Sequence, residues 1–322
     1  MRTEDRLARP LKALRVSVTD RCTFRCPACR PGPAPPLFPR ESLLRFEELR
    51  RLAGIFAGLG AGRLRLTGGE PLLRAGLPDL VGRLRTVAGI RELALTTNGL
   101  RLRGLAAPLR AAGLDRLTLS LDSLDPVRFA CCRGTRAPLR QVLEGLEEAV
   151  RAGFSGIHLN CVLRRGWNEA DILPLAAFAR EGGHVLRFIE FMSMDADGGW
   201  RMEEVVPSAE VRAILAARWP LEPLPAGDRP ARRWRYRDGT GEVGFVAAVT
   251  EPFCDACGRA RLSCDGVFRP CLLAGEGLAL GPLLREGATD AEIRDLVAAA
   301  WRGRGARMSA AGSPVAMSRI GG

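Results

Sequence analysis

Two groups of three cysteines are the residues best suited to chemistry in this 322-residue chain: Cys22, Cys26 and Cys29 at C-x3-C-x2-C, and Cys254, Cys257 and Cys271 at C-x2-C-x13-C. Thiolates are soft ligands, and the three of the first group can carry a cubane iron–sulfur cluster whose fourth iron stays open to a small molecule. A zinc ion completed by a distant residue is the alternative reading. Cys264 lies inside the second group; as a ligand it would close that site, and as a small buried residue it would leave the site open. Cys131, Cys132 and Cys161 have no metal-ligand spacing and read as packing residues. Other candidates stand where the chain turns: Gly68 and Gly69 in TGGEP, where a missing Cβ allows close backbone approach to a ligand, Ser120 in SLDSLDP, and Met192 ending RFIEFM.

These residues need elements to position them. β-like runs at 13–18, 63–67, 92–97, 116–121, 157–163 and 185–192 alternate with stretches of helical period, among them ESLLRFEELRRLAGIFAGL, APLRQVLEGLEEAVRAG and EADILPLAAFAREGG. The last two end in Gly, as helix C-termini commonly do. Six β/α units joined by right-handed crossovers predict an α/β fold, a partial (β/α)6 barrel of TIM type over residues 1–200, with a C-terminal region at 201–322. In such barrels the chemistry sits at the C-terminal ends of the strands, and the first cysteine group follows the first strand.

Composition sets the limits. With 47% apolar residues the chain can fill a large core, and ten cysteines are too few for a disulfide scaffold. The N-terminal segment carries Asp and Glu without an apolar signal core, and no apolar run reaches the roughly 18 residues of a spanning helix, so a reducing cytoplasm is expected. The net charge of +12 suggests an anionic partner, but Lys12 is the only lysine, and this arginine bias weakens the case for nucleic acid.

Taken together, SVTDRCTFRCPACRPG, RLTGGEPLLR, TTNG, SLDSLDP, RFIEFM and the terminal IGG resemble the GTP 3',8-cyclase family of radical S-adenosylmethionine (SAM) enzymes, almost from end to end. The first triad alone implies only the radical SAM superfamily, whereas the second triad and the Gly-Gly tail are specific to this branch. The resemblance implies a lyase acting in the first step of molybdenum-cofactor biosynthesis. It implies two 4Fe-4S clusters, with SAM on the open iron at Cys22, Cys26 and Cys29, and the purine of GTP facing the one at Cys254, Cys257 and Cys271. Ala28, Gly69, Ser120 and Met192 match SAM-holding positions. Arg15, Arg65, Thr96, His158, Arg259, Ala260 and Arg261 match GTP-contacting positions, and Arg259, Arg261, Gly321 and Gly322 are implied at the reacting atoms. An electron donor such as flavodoxin or ferredoxin and a downstream cyclic pyranopterin monophosphate synthase are implied as partners; a homodimer is left open, and membrane and nucleic acid are not implied.

The departures from the family pattern lie at Ala28, where an aromatic ring is usual, at Arg30, where Met is usual, and at His158, where a lysine contacts the nucleotide. An imidazole is shorter and only partly charged near neutral pH; Arg164 and Arg165 are candidates to replace the lost charge, and a core histidine is the other reading of His158. These departures leave open a paralogue acting on another anionic substrate, or a non-catalytic cluster protein that binds a nucleotide.

Overall fold

The computed structural model describes residues 3–29, 36–134, 138–192, 199–225, 227, 230–274, 276–305 and 317–320. Its elements run β1 (Ala13–Ser17), α1 (Phe46–Gly58), β2 (Arg63–Thr67), α2 (Leu77–Arg85), β3 (Glu92–Thr97), α3 (Ala106–Ala111), β4 (Arg116–Ser120), α4 (Pro126–Arg133), α5 (Leu139–Arg151), β5 (His158–Leu163), α6 (Ile172–Glu181) and β6 (Val185–Glu190). They continue with α7 (Ser208–Arg218), β7 (Leu221–Pro223), β8 (Arg232–Tyr236), β9 (Glu242–Val246), β10 (Arg259–Leu262), β11 (Val267–Arg269), β12 (Leu278–Ala279), α8 (Leu280–Arg285), α9 (Asp290–Arg302) and α10 (Met317–Ile320).

The six expected strands form, and β1 to β6 stand side by side in parallel, as a succession of crossover units requires. Two further parallel strands come from beyond residue 200: β9 pairs with β6, and β10 pairs with β1. Antiparallel strands then finish both edges, giving the order β12-β11-β10-β1-β2-β3-β4-β5-β6-β9-β8-β7.

Side chains alternate across each strand. One face carries Leu14, Val16, Leu64, Leu66, Leu93, Leu95, Leu117 and Leu119, all buried in a core shared with the helices. The opposite face carries Arg15, Arg65, Thr96, Ser120, Asn160 and Arg187, which line a cavity. Parallel strands buried on both faces usually read as continuous apolar runs; here the inner face is polar because it surrounds a chamber.

The helices obey local rules. Pro126 opens α4, the Asp125 carboxylate accepts from the Arg128 N–H at 2.8 Å, and Gly134 ends the helix at φ +58°. Thr289 and Glu292 form a capping box at the start of α9. The glycines expected at the ends of α5 and α6 fall just past them, Gly153 at φ +87° and Gly183 at φ +65°.

Candidate active site

A cavity of about 370 Å³ runs through the barrel from Arg63 and Glu92, at the start of β2 and β3, to the loops beyond the C-terminal strand ends. Both cysteine triads line it. In each, a local turn brings two of the cysteines close along the backbone: the Cys29 N–H donates to the Cys26 carbonyl at 3.0 Å, and the Cys257 N–H to the Cys254 carbonyl at 3.2 Å.

The first triad is held by residues that the sequence reading left without a role. The Asn98 Nδ2 lies 3.0 Å from Thr23 Oγ1 and 3.9 Å from Cys22 Sγ. Arg133, closing α4, reaches Cys26 Sγ at 3.7 Å and the Asp122 carboxylate at 3.0 Å. The hydrogen bond with Cys29, opposed by burial and reinforced by the Arg133 cation, brings the Cys26 thiol down to about 6. Asn98 and Asp122 lay within the quoted TTNG and SLDSLDP; Arg133 had only the glycine after it as a signal, and that marks a helix end rather than a site.

Gly68 and Gly69 line the cavity, yet their missing Cβ atoms serve the first cysteine loop. A Cβ on Gly69 would stand 2.2 Å from the Arg21 carbonyl oxygen, and one on Gly68 would stand 2.5 Å from that of Thr19. The Glu70 N–H donates to the same Arg21 carbonyl at 2.7 Å. The close approach expected toward a ligand is therefore met first by the protein's own backbone.

Three arginines share one register: Arg261, Arg15 and Arg65 are neighbours on β10, β1 and β2, and all line the cavity. Arg65 donates to Thr96 Oγ1 at 3.0 Å and Thr118 Oγ1 at 2.9 Å. Burial, then the neighbouring cations Arg261, Arg259 and Arg65, push the Arg15 guanidinium well below its ordinary range, and burial with Arg259 brings Arg261 down to about 9. Such crowding of like charge is relieved by an anion. In the second triad, burial raises the Cys257 thiol, but Arg259 and Arg304 outweigh it, and the thiol lies at about 7.

Ala28, Ser120, Met192 and Arg259 also line the cavity. Three expectations are corrected. Ala260 is fully buried and belongs to the apolar core beside Leu14, because the residue between two inward arginines on a strand must face outward. His158 is 4% exposed and is not part of the lining; its Nε2 contacts Arg116 and lies 3.5 Å from Arg187 Nη2, and Arg187 is the residue that reaches the cavity. Arg164 and Arg165 replace no charge there: they lie beyond the end of β5, pair with Glu204 and Glu210, and are absent from the lining. Cys264 is 1% exposed and also absent from the lining, with its thiol pushed up to about 12 chiefly by burial. Arg30, Gly321 and Gly322 lie outside the described residues, although Met317 lines the cavity and Ile320 is buried.

Among the described residues no three His, Cys, Asp or Glu converge on a single ion. An all-thiol donor set spread around a chamber, with cations beside Cys26 and Cys257, fits an iron–sulfur cluster.

Residues 16–179 match the Radical SAM superfamily and residues 184–310 match Molybdenum Cofactor Synthesis C. The chain is 47% identical to a GTP 3',8-cyclase of Acidothermus cellulolyticus over 95% of this chain and 87% of that one. It is 44% identical to one of Xanthomonas axonopodis pv. citri, over 99% and 98%. Among solved structures, SuiB of Streptococcus suis bound to S-adenosylmethionine superposes with a TM-score of 0.60 at 14% identity, covering 89% of this chain and 68% of that one. Against SuiB bound to its precursor peptide the chain spans about half the partner's length, 46%, at a TM-score of 0.50. These likenesses to solved structures show the fold.

Proposed function

The chain belongs to the GTP 3',8-cyclase family of radical SAM enzymes, and from that premise we propose how its own residues divide the work. The enzyme converts GTP to (8S)-3',8-cyclo-7,8-dihydroguanosine 5'-triphosphate, the first step of molybdenum-cofactor biosynthesis. Cys22, Cys26 and Cys29 would hold a 4Fe-4S cluster with SAM beside it, and on accepting one electron from a donor that pair would supply the radical chemistry that takes the C3' hydrogen of GTP.

Gly69, Ser120, Met192 and Ala28, all on the cavity wall near the first triad's strand ends, hold SAM. Arg15, Arg65, Arg259 and Arg261 grip the triphosphate, since parallel guanidinium forks suit phosphate oxygens, and Thr96 orients Arg65 by accepting from it. Cys254, Cys257 and Cys271 would hold a second 4Fe-4S cluster, and the chamber wall around them would keep the nucleotide oriented and shielded from water. Gly321 and Gly322, outside the described residues, belong by the family pattern at the reacting atoms. Residues 1–200 thus carry the SAM chemistry and residues 201–322 the second cluster and the tail. The reaction needs an electron donor such as flavodoxin or ferredoxin, and its product passes to cyclic pyranopterin monophosphate synthase; we place the enzyme in the cytoplasm.

The observation that carries this reading is the in-register row Arg261–Arg15–Arg65 in a chamber lined by both triads. Its test is to give the anaerobically reconstituted protein SAM, reductant and GTP and to analyse the nucleotide formed. Cyclised product is expected, and Arg261→Ala is expected to suppress it at least about tenfold while sparing SAM cleavage without GTP. SAM cleavage with no cyclised product would instead favour another anionic substrate.

A further inference from the structure

The second cysteine loop is gripped from behind by a buried ionic set that the cyclase reading does not use. The Asp5 carboxylate is fully buried; its Oδ2 accepts from Arg9 Nε at 2.7 Å and from Arg304 Nη1 at 3.2 Å, and its Oδ1 accepts from the Leu7 and Arg9 N–H groups. Each guanidinium then reaches forward. Arg9 Nη1 donates to the Cys254 carbonyl at 2.8 Å, and Arg304 Nη1 to the Cys257 carbonyl at 2.7 Å. The Trp301 indole N–H donates to the Arg9 carbonyl at 3.1 Å, and the Arg304 guanidinium lies over the Trp301 ring. The next carbonyl, that of Gly258, accepts from the Lys12 and Ala13 N–H groups, and a Cβ on Gly258 would stand 2.4 Å from the Pro10 carbonyl oxygen.

Buried ion sets seldom stabilise a fold more than well-packed apolar residues would, so this one is better explained by what it orients. With the Cys254 and Cys257 carbonyls drawn back by cations, their thiols are left facing the cavity. We propose that Asp5, Arg9 and Arg304 are positioning residues for the second metal site: the carboxylate locks two guanidinium groups, and these set the spacing and direction of the Cys254 and Cys257 thiols. This rests on the reading that Cys254, Cys257 and Cys271 hold a cluster. Partners behind metal ligands commonly change metal affinity 10–100-fold when removed.

The test uses reconstituted protein of full length and follows iron release to a chelator together with the electron paramagnetic resonance of the reduced clusters. Asp5→Asn keeps the volume and removes the charge. Its iron is expected to leave the second site roughly 10–100-fold faster, with an altered signal from that cluster, while the first site's release phase and SAM cleavage without GTP stay as in the parent. Asp5→Glu is expected to restore part of the effect. Should Asp5→Asn fail to fold, Arg304→Lys keeps the pairing with Asp5 but shortens the arm to Cys257, and the same release phase is expected to quicken. A folded variant of either kind with parental release kinetics and an unchanged signal overturns the proposal. Cys254/Cys257/Cys271→Ala protein with the parental iron content would remove the cluster reading itself, and this inference with it.

Discussion

At the scale of single residues, the structure reverses what family likeness suggests for His158. The resemblance makes His158→Lys a return to the usual nucleotide contact. The side chain, however, is buried against Arg116 and within 3.5 Å of Arg187, with Glu92 3.7 Å from Arg116. An ammonium there would add a third cation beside Arg116 and Arg187, with Glu92 as the anion close by. We expect His158→Lys to lose about 1–3 kcal/mol of stability, read as a lower thermal midpoint, without tighter GTP binding in titration. A gain in both would show that the pocket accepts lysine and that the histidine is the poorer fit. Arg187, whose guanidinium lies beside the imidazole, is the residue of this pair that reaches the cavity.

At the scale of elements, the turn after β2 is the support on which the first cysteine loop rests. Gly69→Ala would force a Cβ to within 2.2 Å of the Arg21 carbonyl oxygen and 2.8 Å of that of Asp20, both backbone atoms that cannot swing aside. The expected cost is about 1–3 kcal/mol, with loss of first-site iron and SAM cleavage and retention of iron at the second site. Retention of full SAM cleavage would show that the loop shifts freely. The next residue ties this turn to the end of β3: Glu70 accepts from the Leu72 N–H, Thr97 Oγ1 and the Asn98 N–H at 3.0, 2.6 and 2.7 Å. Burial, against these three donors, pushes its carboxyl from 4.5 up to about 7. Because the folded state then holds a proton that the unfolded chain has released, stability is full below 4.5 and falls as pH rises through about 7. The difference in thermal midpoint between the parent and Glu70→Gln should therefore narrow or reverse across that window; a difference independent of pH would contradict it.

At the scale of the whole molecule, the chain carries a net charge of +12, and while many exposed arginines pair with carboxylates, the cavity wall gathers Arg15, Arg65, Arg259 and Arg261. GTP should bind more tightly than guanosine, and the advantage should shrink as salt shortens the Debye length from about 10 Å at 0.1 M to about 3 Å at 1 M. Equal affinity for the two at low salt would mean that the arginine row does not meet phosphate. What the sequence alone determined is local: thiol spacing, which a single i to i+3 turn converts into adjacent ligands, and the alternation in RLRLT and RLTLSL, which assigns one face of each strand to the core and the other to the chamber. The same alternation would have excluded Ala260 from the lining once its strand was recognised. Tertiary structure alone decided that β10 lies beside β1, so that Arg261 meets Arg15, and that Asp5, Arg9 and Arg304 grip Cys254 and Cys257. No short-range pattern encodes these contacts, because pairing between segments some 245 residues apart, as Arg9 and Cys254 are, is selected by the burial and hydrogen bonding of the completed sheet.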